Sequence, residues 1–167
     1  QEIAGTIRRQ IDIAPIAEIS QKTGIPIEVS MFIGSSQIRA YTEDWDLKTM
    51  MKHSVSALEF ANKHSLSVMF VTEDTTRAHP RTLDSLYGAA LDHGAARLCF
   101  CDTVGHSVPQ GAVNLIRWAR SLIDKSGRTD VKIDWHGHQD RGLGVPNSIA
   151  ALQAGAHRVH GTALGIG

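Results

Sequence analysis

The sequence predicts an α/β fold made of one domain of alternating strands and helices. Its 167 residues repeat one unit: a short apolar strand, a polar loop, an amphipathic helix and then a glycine. This alternation is typical of a parallel sheet with right-handed crossovers. The polar residues gather just after the strands. This position favours a closed (β/α)8 TIM barrel, because a barrel brings the carboxyl ends of all its strands around one mouth.

An open, doubly wound sheet fits the same alternation but is less well supported. Such a sheet would carry a glycine-rich phosphate-binding turn after its first strand. No Gly-x-Gly-x-x-Gly motif stands there, and the pair Gly142 and Gly144 lacks the strand-to-helix spacing. Only six strands can be read. We therefore expect a partial barrel of about six β/α units, lacking two strands at its start, with residues 1–167 as one catalytic segment truncated at both ends.

The individual elements follow from apolar runs and from the glycines that end helices. We predict strands at Ile3–Ile7, Ile27–Ile33, Ser67–Val71, Arg97–Cys101, Val131–Trp135 and Arg158–Gly161. We predict helices at Ile13–Lys22, Leu47–His64, Pro80–His93, Pro109–Lys125 and Val145–Ala154. Gly24, Gly94 and Gly155 each follow a predicted helix, where glycine adopts the left-handed conformation at little cost.

Composition excludes several classes of partner. The chain has 17 lysines and arginines and 17 aspartates and glutamates, so it offers no basic surface for nucleic acid or an anionic membrane. No apolar run is long enough to span a bilayer, and no signal-peptide pattern is present. The two cysteines, Cys99 and Cys101, stand two apart in a predicted strand. This spacing suits buried reduced thiols in a cytoplasmic protein better than a disulfide framework.

Two histidines provide the strongest indication of chemistry. His136 and His138 end the predicted strand Val131–Trp135, in which apolar and polar residues alternate. Because residues two apart in a strand share a face, both imidazoles should point the same way, with Asp134 below them. Two neutral imidazoles can bind one divalent ion. The pair therefore predicts a metal site, although two ligands alone do not make one.

Other polar residues near strand ends are open to two interpretations. Arg8 follows the first predicted strand and is compatible with binding an anionic substrate or with an ordinary surface helix start. Ser35 lies at the predicted mouth, where it could bind substrate oxygens or cap a helix. His160 shares a strand face with Thr162, and a hydrogen-bonded core histidine is the simpler interpretation.

Four ordered motifs carry a resemblance to a known family. They are Thr72-Glu73-Asp74-Thr75-Thr76-Arg77, Cys101-Asp102-Thr103-Val104-Gly105, His136-Gly137-His138-Gln139-Asp140-Arg141-Gly142-Leu143 and Thr162-Ala163-Leu164-Gly165-Ile166-Gly167. From Ile3 to Gly167 the chain resembles the isopropylmalate/homocitrate synthase family. These metal-dependent TIM-barrel acyltransferases are related to hydroxymethylglutaryl-CoA lyase. The resemblance would make the visible strands the third to the eighth of the barrel.

The resemblance implies a reaction and its participants. In such enzymes acetyl-CoA condenses with a 2-oxo acid at a divalent ion such as Mg²⁺, Mn²⁺ or Zn²⁺, and His136 and His138 would be ligands of that ion. Glu73 matches an active-site glutamate and would be the catalytic base. Thr103 matches a threonine that holds the carboxylate of the oxo acid. The family's other two ligands, an aspartate and an asparagine, have no counterpart here, and the resemblance also implies a homodimer for the full-length protein.

Departures from the family pattern bear on the substrate. The usual His-x-His-Asn-Asp motif has Gln139 in place of its asparagine, with Arg141 two residues on, and the longer amide could alter the surroundings of the ligands. Met69 stands where homocitrate synthases have an arginine for the distal carboxylate of 2-oxoglutarate. The resemblance is therefore greatest to 2-isopropylmalate synthases, and we expect a monocarboxylic acid such as 2-oxoisovalerate, which would give 2-isopropylmalate.

Two further functions stay open. The first is carbon–carbon bond cleavage by a lyase or aldolase of the same superfamily, similar to hydroxymethylglutaryl-CoA lyase. The second is a non-catalytic barrel segment that only binds a metal or small molecules. We also expect the 167 residues alone to be inactive, because the metal shell would be incomplete.

Overall fold

The computed structural model of the chain describes residues 2–6 and 10–163, with residues 2–6 and 10–11 described by their backbone alone. The strands are β1 Glu2–Thr6, β2 Glu28–Gly34, β3 Ser67–Glu73, β4 Arg97–Asp102, β5 Lys132–Gly137 and β6 Arg158–His160. The helices are α1 Gln10–Thr23, α2 Gln37–Glu43, α3 Leu47–Lys63, α4 Pro80–Asp92, α5 Pro109–Ser126 and α6 Gly144–Gln153. A short 3₁₀ turn spans Thr75–Arg77.

The strands form one six-stranded sheet whose spatial order is the order of the chain, β1 to β6. Each neighbouring pair is parallel. The carboxyl ends of all six strands therefore lie along one rim, as in a (β/α)8 barrel. The predicted partial barrel is confirmed, and every predicted strand has its counterpart.

The two faces of the sheet bury different side chains. One face carries residues such as Val29, Phe70, Leu98, Ile133 and Trp135, which pack with the helices in the main hydrophobic core. On the other face a small separate cluster joins the side chains of Met69, Val71, Cys99 and Cys101, with Phe32 packed against it. Alternation along each strand thus separates a helix-covered core from the interior of the barrel.

The helix ends match the sequence closely, but one helix was not predicted. Gly24, Gly94 and Gly155 have φ values of +67°, +81° and +111°, as their place after helices requires. Helix α2 has only seven residues and buries none of them, so it lacks the apolar stripe that identifies a longer helix. It begins at Ser36, whose Oγ accepts a hydrogen bond from the backbone N of Arg39.

In the part of the chain that the structure describes, every helix is too short or too polar to cross a membrane.

Candidate active site

A cavity of about 600 Å³ opens on the inner face of the sheet, at the carboxyl ends of the strands. Side chains from β2 to β6 and the loops after β4, β5 and β6 line it, so residues far apart in sequence meet there. The lining residues are Ser30, Phe32, Met69, Val71, Glu73, Cys99, Cys101, Thr103, His136, His138, His160, Gly161 and Thr162. The cavity therefore brings together Glu73, Thr103 and both histidines that the sequence singled out.

The two histidines face each other at the end of β5. Their Nε2 atoms lie 3.3 Å apart. Two nitrogens that bind one zinc-like ion, each about 2.0–2.1 Å from it, stand about 3.0–3.4 Å apart at ordinary coordination angles. Within residues 12–163 no third His, Cys, Asp or Glu side chain joins them in a metal-binding group. The pair fits two adjacent positions of a metal shell but does not complete one.

The charge state of His136 also suits a ligand. Burial, together with the smaller effects of the charges on His160 and His138, lowers the pKa of His136 from its ordinary 6.5 to about 4. At neutral pH the imidazole is therefore uncharged and keeps a lone pair for a metal. This neutral state is a property of the site before any ion binds.

Residues next to the pair hold it in place. The backbone N of His138 donates to the carbonyl oxygen of Asp102 on β4, at 3.3 Å, and the His138 Nδ1 lies 3.9 Å from a carboxylate oxygen of Asp140. Gly137 between the histidines is required, because a Cβ there would lie 2.7 Å from the indole nitrogen of Trp135. Gln139 accepts a hydrogen bond from the backbone N of Val145 at 3.3 Å, so the residue that departs from the family motif contacts the start of α6.

Glu73 is the last residue of β3, and its carboxylate lies on the cavity wall, partly exposed. Its carbonyl oxygen accepts hydrogen bonds from the backbone N of Ser35 at 3.0 Å and from the Ser35 hydroxyl at 2.8 Å. Ser35 is buried and does not line the cavity. The expectation that Ser35 binds substrate is therefore corrected: its hydroxyl ties the end of β2 to the end of β3.

Thr103 and Asp102 follow each other at the end of β4 but act differently. The hydroxyl oxygen of Thr103 accepts the backbone N–H of Asp74 at 2.8 Å, which leaves its own O–H to donate elsewhere. The Asp102 carboxylate is fully buried and accepts the backbone N–H groups of His106 and Ser107. Asp102 thus stabilises the loop that follows β4.

A charged network lies deeper in the barrel, below the histidine pair. The buried Asp134 carboxylate accepts hydrogen bonds from Arg97 and Arg158, both at 2.6 Å, and lies 3.0 Å from His160 Nε2. Burial alone would raise the pKa of Asp134, but the hydrogen bonds from His160 and Arg158 and the charge of Arg97 keep it below its usual value. Glu28 pairs with both arginines from the opposite side.

His160 lines the cavity, although it was not predicted to be a site residue. Its ring lines the cavity, and its centroid lies 5.7 Å from that of His136. His160 was expected to be a hydrogen-bonded core histidine, and its contact with Asp134 agrees with this expectation. Its position beside His136 depends on the packing of neighbouring strands, which no local sequence pattern reveals. The alternation in β6, with Arg158 and His160 on one face, was the only available signal.

The deeper cavity wall is apolar and rich in sulfur. Cys99 and Cys101 are free, buried thiols, as predicted. A hydrogen bond with Cys101 together with burial raises the pKa of Cys99 well above its ordinary value, so its thiol stays protonated. Met69 lies on the same wall, with its sulfur 3.2 Å from Nη2 of Arg158. Arg8, the remaining predicted substrate residue, lies outside the described residues.

A profile of the family described as HMGL-like matches residues 7–167 of the chain. This match covers nearly the whole sequence and agrees with the parallel sheet and the cavity at its rim.

The chain belongs to the HMGL-like family.

Curated relatives of this HMGL-like chain are mostly named as synthases. It is 34% identical to a 2-isopropylmalate synthase of Pyrococcus furiosus, over 99% of the chain and 32% of the relative. It is 39% identical to a protein of Methanosarcina acetivorans assigned as an (R)-citramalate synthase, over 73% of the chain and 24% of the relative. The HMGL-like chain thus spans about a third or less of the length of these relatives.

Solved structures of similar fold include hydroxymethylglutaryl-CoA lyases. The lyase of Pseudomonas aeruginosa superimposes with a TM-score of 0.77 at 19% identity, over 99% of the HMGL-like chain and 54% of the lyase. The lyase of Bacillus subtilis gives 0.72 at 20% identity, over 98% and 54%. At such identities the likeness establishes the fold alone, and the resemblance predicted from the four motifs is confirmed at the level of the family.

Proposed function

We propose that this chain forms the metal-binding and substrate-binding part of an acyltransferase that condenses acetyl-CoA with a 2-oxo acid. The observation that carries the proposal is the convergence of Glu73, Thr103, His136 and His138 on one cavity. The synthase names of the relatives support condensation over cleavage. The proposal includes a homodimer of the full-length protein, which the family resemblance implies.

His136 and His138 would hold the divalent ion, since the uncharged imidazole of His136 and the 3.3 Å between the two Nε2 atoms fit two ligands of one ion. Such an ion would polarise the ketone of the oxo acid and stabilise negative charge that develops on its oxygen. The Asp102 carbonyl keeps the His138 backbone in position for this task, and the Asp140 carboxylate lies 3.9 Å from Nδ1 of the His138 ring.

Thr103 would bind the carboxylate of the oxo acid. Its oxygen is fixed by the N–H of Asp74, so its single O–H points away from that bond and can donate to an anionic acceptor in the cavity. A hydroxyl whose oxygen is already held by the backbone loses little rotational freedom when the substrate arrives.

Glu73 would be the general base. Condensation requires removal of a proton from the methyl group of the thioester, and a carboxylate on the cavity wall can accept that proton. The two hydrogen bonds from Ser35 fix the backbone of Glu73, so that the carboxylate is presented from a rigid strand end.

The side chain of the oxo acid would lie against Phe32, Met69 and Val71. These side chains form the deep apolar wall, and an aliphatic group buried there leaves water at a gain of about 0.8 kcal/mol per CH₂. A distal carboxylate would meet Met69, while the guanidinium of Arg158 behind it is already paired with Asp134 and Glu28. The wall therefore favours a monocarboxylic acid such as 2-oxoisovalerate.

The test is to measure release of free CoA by the protein that carries this chain. Acetyl-CoA and Mn²⁺ or Mg²⁺ would be supplied with pyruvate, 2-oxoisovalerate or 2-oxoglutarate. We expect oxo-acid-dependent release of CoA, fastest with 2-oxoisovalerate and abolished by EDTA. Faster turnover of 2-oxoglutarate would refute the substrate class. CoA release at the same rate with and without the oxo acid, or cleavage of a hydroxyacyl-CoA without condensation, would refute the reaction.

A further inference from the structure

Helix α2 places one cation beside the carboxylate that the proposed reaction uses as its base. Nη2 of Arg39 lies 3.6 Å from Oε2 of Glu73, and the two side chains are 32% and 29% exposed. Among the residues that the structure describes, Arg39 is the only cationic side chain within ion-pair distance of Glu73. The sequence offered no reason to single out Arg39, because α2 itself was not predicted.

The backbone next to this ion pair leaves space for the Arg39 side chain. Gly34 pairs with Glu73 in the register of β2 and β3. A Cβ at Gly34 would lie 2.9 Å from the Cβ of Arg39 and 3.0 Å from its Nε. Glycine at this strand end therefore leaves the space through which the Arg39 side chain runs toward Glu73.

Other contacts fix the arginine at its base and at its tip. The Ser36 hydroxyl caps α2 by accepting the backbone N–H of Arg39 at 3.3 Å. At the tip, Nη2 donates to Oε1 of Glu43, one helical turn further on, at 3.0 Å. The buried Nε of Arg39 has no hydrogen-bond partner in the described part of the chain. The guanidinium is thus held between two carboxylates, of which only Glu73 lies on the cavity.

Within residues 12–163, the other charged or titratable side chains near Glu73 do not form an ion pair with it. Asp74, next in the chain, forms a two-pronged pair with Arg77 at 2.7 and 2.8 Å. The histidines His136, His138 and His160 line the same cavity, and His160 is bonded to Asp134. Arg39 is therefore the group placed to attract the Glu73 carboxylate directly and to fix its position.

We propose that Arg39 is a positioning residue that holds the Glu73 carboxylate in a fixed place at the cavity wall. The proposal rests on the proposed role of Glu73 as the base. Arg39 does not line the cavity, so it acts on the reaction through Glu73 rather than by touching the substrate.

The test uses the protein that carries this chain and separates the effect of the Arg39 charge from the effect of its aliphatic stem. Arg39→Met keeps the aliphatic stem and removes the charge, and Arg39→Lys keeps a charge. Gly34→Ala leaves the arginine intact but displaces it. Arg81→Ala, which removes an exposed arginine on α4, is the matched control. Thermal melting confirms that each variant is folded before kinetics are measured.

We expect Arg39→Met to lower kcat by about 10–100-fold with KM for the oxo acid changed less than about two-fold, because a displaced base slows proton transfer without weakening substrate binding. Arg39→Lys should recover most of the rate, Gly34→Ala should lower kcat in the same manner, and Arg81→Ala should match the wild type.

The outcomes distinguish this proposal from the one on which it rests. If Glu73→Gln removes activity while Arg39→Met keeps the wild-type kcat, Arg39 is not a positioning residue and Glu73 remains the base. If Glu73→Gln keeps full activity, the assignment of the base itself is wrong. If Arg39→Met lowers the residual rate of Glu73→Gln as strongly as that of the wild type, Arg39 acts elsewhere and the proposal fails.

Discussion

Thr103 shows how one hydroxyl can serve both the fold and a substrate. Its oxygen accepts the N–H of Asp74, and its proton is left for another acceptor. This arrangement joins the ends of β3 and β4 on the cavity rim. A substitution at this position therefore removes a donor from the cavity and also leaves a backbone N–H without its partner.

We predict that Thr103→Ala lowers kcat/KM for the oxo acid by about 5–150-fold, which corresponds to a loss of about 1–3 kcal/mol of binding to an anionic acceptor. Steady-state kinetics at varied oxo acid would measure the loss. Thr103→Ser keeps the hydroxyl and should stay within a few-fold of the wild type. Unchanged kinetics of Thr103→Ala would remove Thr103 from the site.

His136 makes the stability of the metal-free protein depend on pH. Its pKa is lowered to about 4, mainly by burial and also by His160 and His138, against 6.5 in an exposed histidine. Between these values the unfolded chain binds more protons than the folded one, so the free energy of unfolding rises with pH across this window. Acidification from pH 6.5 toward pH 4 therefore removes stability.

We predict that His136→Gln weakens this dependence by about 1–3 kcal/mol over that window, after solvent screening is allowed for. Urea unfolding of the EDTA-treated protein at a series of pH values would measure it. His64→Gln, a change in a histidine outside the cavity, is the control and should leave the slope intact. Equal slopes for His136→Gln and the wild type would mean that His136 is not held neutral by burial.

At the scale of elements, the rim of the site depends on hydrogen bonds between α4, β3 and β4. The Tyr87 hydroxyl, fully buried on α4, donates to the carbonyl oxygen of Cys99 at 2.7 Å and lies 2.6 Å from the hydroxyl of Thr72. Thr75 in turn accepts the backbone N–H of Cys101 at 2.9 Å. These bonds connect the strands that carry Glu73 and Thr103.

Removal of the Tyr87 hydroxyl should be costly for this reason. We expect Tyr87→Phe to lower the free energy of unfolding by about 1–3 kcal/mol, because the buried Cys99 carbonyl and the Thr72 hydroxyl lose a partner. Denaturant unfolding provides the measurement. Tyr41→Phe, on the exposed Tyr41 of α2, should change stability by less than about 0.5 kcal/mol. A Tyr87→Phe protein as stable as the wild type would contradict the importance of this network.

The elements with strong local patterns were predictable, and those that depend on long-range contacts were not. Alternation in β5 gave the shared face of His136 and His138, with Ile133 and Trp135 buried on the opposite side. Helix α2 was missed because its seven residues, none of them buried, carry no apolar stripe. Because α2 was not predicted, Arg39 was not considered as a site residue. The substrate-binding interpretation of Ser35 was wrong because its hydrogen bond to Glu73 on β3 joins residues far apart in sequence.

At the scale of the whole molecule, the parallel order of the strands brings side chains from β2 to β6, and from the loops after β4, β5 and β6, onto one surface. Residues as distant in sequence as Ser30 and His160 line the same cavity for this reason. Within residues 12–163 no third His, Cys, Asp or Glu side chain joins the two imidazoles in a metal-binding group. The fold therefore accounts for where the chemistry is placed, while metal affinity depends on ligand number.

We predict that the 167-residue chain on its own binds Mn²⁺ weakly and releases no CoA from acetyl-CoA and 2-oxoisovalerate. Two histidines without further ligands should give a dissociation constant in about the millimolar range or weaker. Titration calorimetry and a free-thiol assay would measure the two properties. Sustained oxo-acid-dependent release of CoA from the isolated chain would show that the described ligands suffice.

The most direct test of the account is whether a 2-oxo acid binds at a metal held by the histidine pair. The measurement is the electron paramagnetic resonance spectrum of Mn²⁺ bound to the protein that carries this chain, recorded before and after addition of 2-oxoisovalerate. We predict that the oxo acid changes the spectrum of the wild type, that Thr103→Ala needs more oxo acid for the same change, and that the double variant His136→Ala, His138→Ala binds no Mn²⁺ at this site. Equal Mn²⁺ binding by the double variant, or a wild-type spectrum that the oxo acid leaves unchanged, would contradict the account.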